Sequence, residues 1–230
     1  DITAAGGNNA ISVLAAAPKG TLLHAPDVYM NKIAVGPKAV GCVDLDAPVE
    51  DNINAVAKAL DKKVKDVTVI ILNRERHMEL ISNVRKTGAR INLIQDGDIA
   101  GALAPSLPGS GIDMLMGIGA APEGVIAAAG LHCLGGEIQG RLHFLNESQI
   151  ERTKQMGYLK DPHQKLQMTD LSHGDKTMFV ATGVTNGKIL KGVRFTSSGA
   201  LTHSLVMRTK SKTRRFVSAE HIFEDEPNYE

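Results

Sequence analysis

Val67-Thr68-Val69-Ile70-Ile71-Leu72 decides the fold. Six consecutive apolar or β-branched residues leave no polar face. The segment therefore reads as a strand covered on both sides, the pattern of a parallel sheet. The segments after it repeat the theme. Residues 75–87 place Met78, Ile81 and Val84 at spacing three, a helical stripe that Gly88 stops. Ile91 to Ile94 reads as a second strand, and 99–104 as a short helix closed by the loop from Pro105 to Gly111. Ile112 to Met116 is a third strand. Pro122 to Leu134 is a helix with proline in its first turn and Gly135-Gly136 beyond its end. The order β-α-β-α-β-α predicts an α/β chain with a parallel sheet, helices on its faces and right-handed crossovers.

Outward from this unit the pattern changes. Upstream, Pro48 opens a helix with Val49, Ile53, Val56 and Leu60 on one stripe. Glu50 and Asp51 sit in its first turn, where they complement the helix dipole. Before it come a turn at Gly6-Gly7-Asn8-Asn9 and a buried strand from Ile11 to Ala17. Further strands near 21–25, 32–35 and 40–44 read as a mostly antiparallel meander. Downstream, 147–156 reads as a charged helix and 158–175 as a polar connector. Strands at 177–182, 189–195, 201–209 and 214–219 form an antiparallel tail that packs back on the sheet.

Composition narrows the function classes. Aromatic residues make up 3% of the chain and Trp is absent, so the core is built from Ala, Val, Ile, Leu and Met, and stacking platforms for nucleic acid are missing. The net charge of +1 gives no basic excess either. Arg208, Lys210, Lys212, Arg214 and Arg215 read as the exposed face of a strand. No run approaches the ~20 apolar residues of a membrane span. Cys42 and Cys133 lack metal-ligand spacing and read as two buried thiols of a cytoplasmic protein.

Ligands of open α/β sheets bind outside the carboxyl ends of the strands. The first strand is followed there by Asn73-Arg74-Glu75-Arg76-His77, and the second by Asp96-Gly97-Asp98. The third is followed by Gly117-Ile118-Gly119-Ala120-Ala121-Pro122-Glu123-Gly124, read as a glycine-rich turn into a helix. Arginine forks suit phosphate oxygens. Carboxylates suit sugar hydroxyls and hard divalent cations. Backbone N–H groups at a helix start favour an anion. Each feature also has a plain structural reading: a polar first turn for Arg74, Glu75 and Arg76, a turn with an N-cap for Asp96 and Asp98, a tight turn for the glycines. Tyr29 reads as a packing residue, and His77 and His132 as helix residues. Convergence on one sheet edge favours a phosphorylated-sugar site with a metal nearby.

Ala25-Pro26-Asp27-Val28-Tyr29-Met30, Arg76-His77, Asp96-Gly97-Asp98 and Gly117 to Gly124 together resemble the motifs of class II fructose-1,6-bisphosphatases, including the cyanobacterial fructose-1,6-/sedoheptulose-1,7-bisphosphatases. Lys210-Ser211-Lys212-Thr213-Arg214 resembles a further family segment, and the likeness runs from Asp1 to about His221. The resemblance implies the layered αβαβα sandwich of the sugar and inositol phosphatases. In it, 1–47 would end a first, metal-site half, 48–146 would be the substrate-binding half, and 147–230 would pack back on the core. It implies Mn²⁺ or Mg²⁺ as cofactor and hydrolysis of the 1-phosphate of fructose 1,6-bisphosphate in gluconeogenesis. By position it makes Tyr29, Arg74, Glu75, Arg76, Asp96, Gly97, Asp98, Ala120 and Glu123 substrate contacts, with Glu123 also a metal ligand. It implies a cytoplasmic homo-oligomer, dimer or tetramer, without nucleic-acid or membrane partners. The family's Asp-Pro-x-(Asp/Glu)-Gly-Thr metal motif would fall just before Asp1, so the water-activating residues are expected outside these 230 residues and no catalytic residue is assigned within them. Other sugar- or inositol-phosphate phosphatases of the same fold, or a non-catalytic fragment, are the alternatives.

Overall fold

The computed structural model describes residue 3 and residues 6–223. In chain order these form β1 (Ile11–Ala16), β2 (Tyr29–Val35), α1 (Val49–Ala59), β3 (Thr68–Leu72), α2 (Met78–Thr87), β4 (Arg90–Ile94), α3 (Asp98–Leu103), β5 (Met114–Ala120) and α4 (Ala121–Leu134). Then come β6 (Glu137–His143), α5 (Glu147–Met156), α6 (Met168–Leu171), β7 (Met178–Gly183), β8 (Arg194–Thr196), β9 (Gly199–Arg208) and β10 (Thr213–Ile222).

The β3-α2-β4-α3-β5-α4 run folds as its apolar pattern predicts, with β3 parallel to both β4 and β5. Gly88 ends α2 in the left-handed conformation. The helix begins three residues later than its stripe suggests, after a 3₁₀ turn at Glu75–His77, and this turns Met78 out to solvent while Ile81 and Val84 stay buried. The sheet is mixed, in the order β4-β3-β5-β2-β6, with β2 antiparallel to both neighbours.

The expected N-terminal meander does not form. β1 and β2 lie in different sheets, and 21–25 contributes one isolated bridge, Leu22 to Ser172. Residues 40–44 are irregular, closed by side-chain bonds such as Asn52 Oδ1 accepting from the Asp44 N–H at 2.8 Å. β1 alternates half-buried and exposed residues, because only one face of its sheet meets the core. It pairs with β7, and the second sheet runs β1-β7-β9-β10 with β8 on β9, antiparallel throughout. The stretches 1–47, 48–146 and 147–230 thus interleave in the sheets. Of the expected 189–195 strand only Arg194–Thr196 forms, and the connector before β7 contains α6. Cys42 is exposed, contrary to the expectation, and Cys133 is buried.

Two apolar clusters stack the layers. One joins α1 and α2 (Ile53, Val56, Ile81, Val84) to one face of the mixed sheet (Ile33, Val35, Val69, Ile71, Met114). The other joins the opposite face (Met30, Ala34, Ile70, Leu115, Ile138) through α3 and α4 to the inner face of the antiparallel sheet (Phe179, Ala181, Leu205, Met207). Helices, sheet, helices and sheet alternate. The middle position explains α4, whose Ala-rich sequence is apolar all round. A Cβ on Gly130 would come within 2.6 Å of Leu103 and 3.2 Å of Phe179, so the helix is gripped from both sides. No helix among the described residues is long and apolar enough to cross a membrane.

Candidate active site at the strand ends

β3, β4 and β5 end at one edge of the mixed sheet, and β2 starts there, because Tyr29 is in register with Ala120. Every residue of the strand-end motifs is therefore on this edge. Glycine, however, plays a different part from the one expected. Gly117 to Ala120 belong to β5 itself, paired with Tyr29 to Lys32, and α4 begins directly at Ala121. The anticipated turn does not exist. The glycines are instead needed for close approach: Gly117 has φ +135°, and its missing Cβ would lie 3.0 Å from the His77 ring.

His77 solves a pairing problem. β3 pairs with β5 at Met114 and Leu115, and β5 then runs on without it. The His77 ring takes over, accepting the Ile118 N–H on Nε2 at 2.7 Å and sharing Nδ1 with the Leu72 carbonyl at 2.7 Å. Those two contacts fix the neutral tautomer with the proton on Nδ1. The carbonyl of the same residue holds Arg76, which donates Nε–H and Nη2–H to the Ile118 oxygen at 3.2 and 2.9 Å. The guanidinium also stacks 4.8 Å above the Tyr29 ring. Arg76 is exposed and oriented by two partners, the Ile118 carbonyl and the Tyr29 ring, while Arg74 donates to the Asn73 carbonyl and Glu75 points to solvent.

Burial holds the His77 pKa below its ordinary value, and the Arg76 and Arg74 charges push the same way. A depressed histidine contributes stability in full above its unfolded pKa of about 6.5 and loses it as acidification brings pH down toward the folded value. His77→Leu strands a buried N–H and a carbonyl, so it should destabilise by about 2–4 kcal/mol above pH 7. In urea melts across pH, the gap between the two proteins should narrow below about pH 6.5. A gap that is constant with pH would contradict the assigned tautomer.

The acidic residues separate into an outer and an inner group. Asp96 is exposed and its Oδ1 accepts the Gly97 N–H at 2.8 Å, a turn that Gly97 completes at φ +85°. Asp98, the first residue of α3, is buried and paired with the Lys32 ammonium, which also donates to the Ala120 carbonyl at 3.1 Å. Glu123 sits half-buried in the first turn of α4. Burial, then the charge of neighbouring Asp98, pushes its pKa up to about 7.

Lys32 and His77 are the functional candidates that residue patterns alone passed over as such. The signal for Lys32 was a single charge inside the run Met30 to Val35; for His77 it was adjacency to Arg76. As to a metal, Glu123 offers one oxygen ligand suited to a hard cation. No group of three His, Cys, Asp or Glu able to hold a metal exists among the described residues.

The family described as bacterial fructose-1,6-bisphosphatase, glpX-encoded, matches residues 1–221. A D-fructose 1,6-bisphosphatase class 2/sedoheptulose 1,7-bisphosphatase of Synechococcus sp. (strain JA-3-3Ab) is 45% identical over 96% of the chain and 67% of its own length. The protein of the same description from Synechococcus sp. (strain JA-2-3B'a(2-13)) is 44% identical over the same shares. The D-fructose 1,6-bisphosphatase class 2/sedoheptulose 1,7-bisphosphatase 2 of Acaryochloris marina (strain MBIC 11017) is 43% identical over 97% of the chain and 68% of its own length. The chain spans about two thirds of the length of these relatives. It belongs to the glpX-encoded bacterial fructose-1,6-bisphosphatase family.

Proposed function

We propose that this chain forms the sugar-phosphate-binding side of a phosphatase site that hydrolyses the 1-phosphate of fructose 1,6-bisphosphate, water and substrate giving fructose 6-phosphate and phosphate. The observation that carries it is the preset Arg76 fork: two of its donors are held by the Ile118 carbonyl, its face lies on Tyr29, and Nη1 has no partner among the described residues. A guanidinium held this way loses little freedom on meeting a phosphate oxygen. Asp96, exposed at the next strand end, suits a sugar hydroxyl. Glu123 would give one oxygen ligand to Mn²⁺ or Mg²⁺, the ion that polarises the phosphate and lowers the pKa of the attacking water when bound. The four alternating layers fit the five-layered αβαβα sandwich of the sugar and inositol phosphatases. The exposed strands of the second sheet suit a homo-oligomer.

The test is phosphate release by the full-length enzyme from fructose 1,6-bisphosphate, sedoheptulose 1,7-bisphosphate and inositol 1-phosphate with Mn²⁺ or Mg²⁺. Turnover of the first is expected; turnover of inositol 1-phosphate alone would overturn the reading. Arg76→Ala should raise KM about 10- to 100-fold, the loss of one charge-assisted contact. An unaltered KM would remove Arg76 from phosphate binding.

A further inference from the structure

Lys32 is the one charged residue of β2, and only 3% of its side chain is exposed. Its neighbours on the same face, Met30 and Ala34, are fully buried. An ammonium drawn out of water into such a layer is unfavourable unless it is paired and hydrogen-bonded. Two acceptors meet it there: the Asp98 carboxylate at the start of α3 and the Ala120 carbonyl at the end of β5. The fold also clears its path. A Cβ on Gly119 would lie 2.9 Å from Lys32 Nζ, and one on Gly124 would lie 3.3 Å from Lys32 Cδ. β5, α3 and α4, which carry Ala120, Asp98 and Glu123, thus all converge on this one side chain. Packing alone does not require a cation, since apolar residues of similar volume commonly replace buried ion pairs without loss of stability. What the ammonium adds is direction.

We propose that Lys32 is a positioning residue for substrate binding: its ammonium fixes the Asp98 carboxylate and the Ala120 carbonyl, and through them sets the Asp96–Asp98 turn against the first turn of α4. It acts through these groups and does not touch the substrate. The proposal rests on the phosphatase reading for what is bound, while the convergence itself is independent of it.

The test uses the full-length, metal-loaded enzyme. Lys32→Met should raise KM for fructose 1,6-bisphosphate about 10- to 100-fold, the scale of one lost charge-assisted contact, with kcat changed less than about fivefold. In an Asp98→Asn background the same change should raise KM by less than about threefold, because the group through which Lys32 acts is already altered. A KM within twofold of the parent for Lys32→Met, or an equal multiplication of KM in both backgrounds, overturns the proposal. Should Lys32→Met alone fail to fold, the double variant, with no unpaired buried charge, is compared with Asp98→Asn: KM values within threefold support the role, and a further tenfold loss overturns it. A crystal structure of the Lys32→Met or double variant gives a readout free of catalysis. Residue 98 should leave its parental rotamer, and a side chain still in place overturns the proposal even if the parent enzyme hydrolyses some other phosphate ester.

Discussion

Glu123→Gln is expected to lower kcat of the full-length enzyme by about 100-fold or more at saturating metal, with KM for fructose 1,6-bisphosphate little changed. Losing even an outer partner of a metal ligand costs 10–100-fold in affinity or activity, and Glu123 would be a ligand itself. The electrostatics supply a second readout. In the metal-free protein its carboxyl titrates at about 7. At pH 6 it is therefore mostly protonated, and a cation must displace that proton. Calorimetry in buffers of different ionisation enthalpy should register more proton release on metal binding at pH 6 than at pH 8, and this difference should shrink in Glu123→Gln. The stability sign is opposite to that of His77. A carboxyl raised in the folded state contributes below its unfolded pKa of about 4.3 and loses that contribution as pH rises through about 7. Metal-free protein should thus weaken across that window, and Glu123→Gln should flatten the loss. Proton release independent of residue 123 would move the assignment elsewhere.

Gly119→Ala should be among the most damaging small substitutions in the chain. The new methyl group would fall inside van der Waals contact of Asp98 Oδ2 and 2.9 Å from Lys32 Nζ. Both partners are buried, so neither can swing into solvent. Separating a buried pair by displacing one member costs about 3–5 kcal/mol. Chemical unfolding of the variant should show a loss of that order, together with a raised KM, because Asp98 and Ala120 lose their common anchor. A loss below about 1 kcal/mol would mean that the carboxylate has a second resting place. Activity restored by excess substrate would then separate disordered binding from disordered chemistry.

Much of the fold was legible because strong local signals point one way. Val67 to Leu72 could only be a doubly covered strand, and Gly88 and Gly135 stop their helices in the left-handed conformation. The insertion of β2 was not legible, since a strand's partners are fixed by tertiary packing and Tyr29–Val35 carries no mark of antiparallel pairing between β5 and β6. β6 was not legible either: Gly140 takes the apolar position between the core residues Ile138 and Leu142, which leaves too weak an alternation to mark a strand. Gly117 to Ala120 looked like a turn because glycines usually mark turns. Here they admit a histidine ring and an ammonium beside a strand. The residues around the candidate site were legible as a set, since motif and strand end coincide. Their supports were not, because Lys32 lies 66 residues from Asp98 and nothing local joins the two.

The pairing of β1 with β7 has a kinetic side. Their shared end is tied by the Ala10 N–H to the Thr185 hydroxyl, groups 175 positions apart. Closing so long a loop early would surrender chain entropy before any nearby contact repaid it. The mixed sheet, whose members lie between Tyr29 and His143, can assemble from shorter closures. β1 would then be recruited late, once β7 and β9 stand ready as its template. A destabilising change in β1, such as Val13→Ala, should accordingly speed unfolding far more than it slows folding.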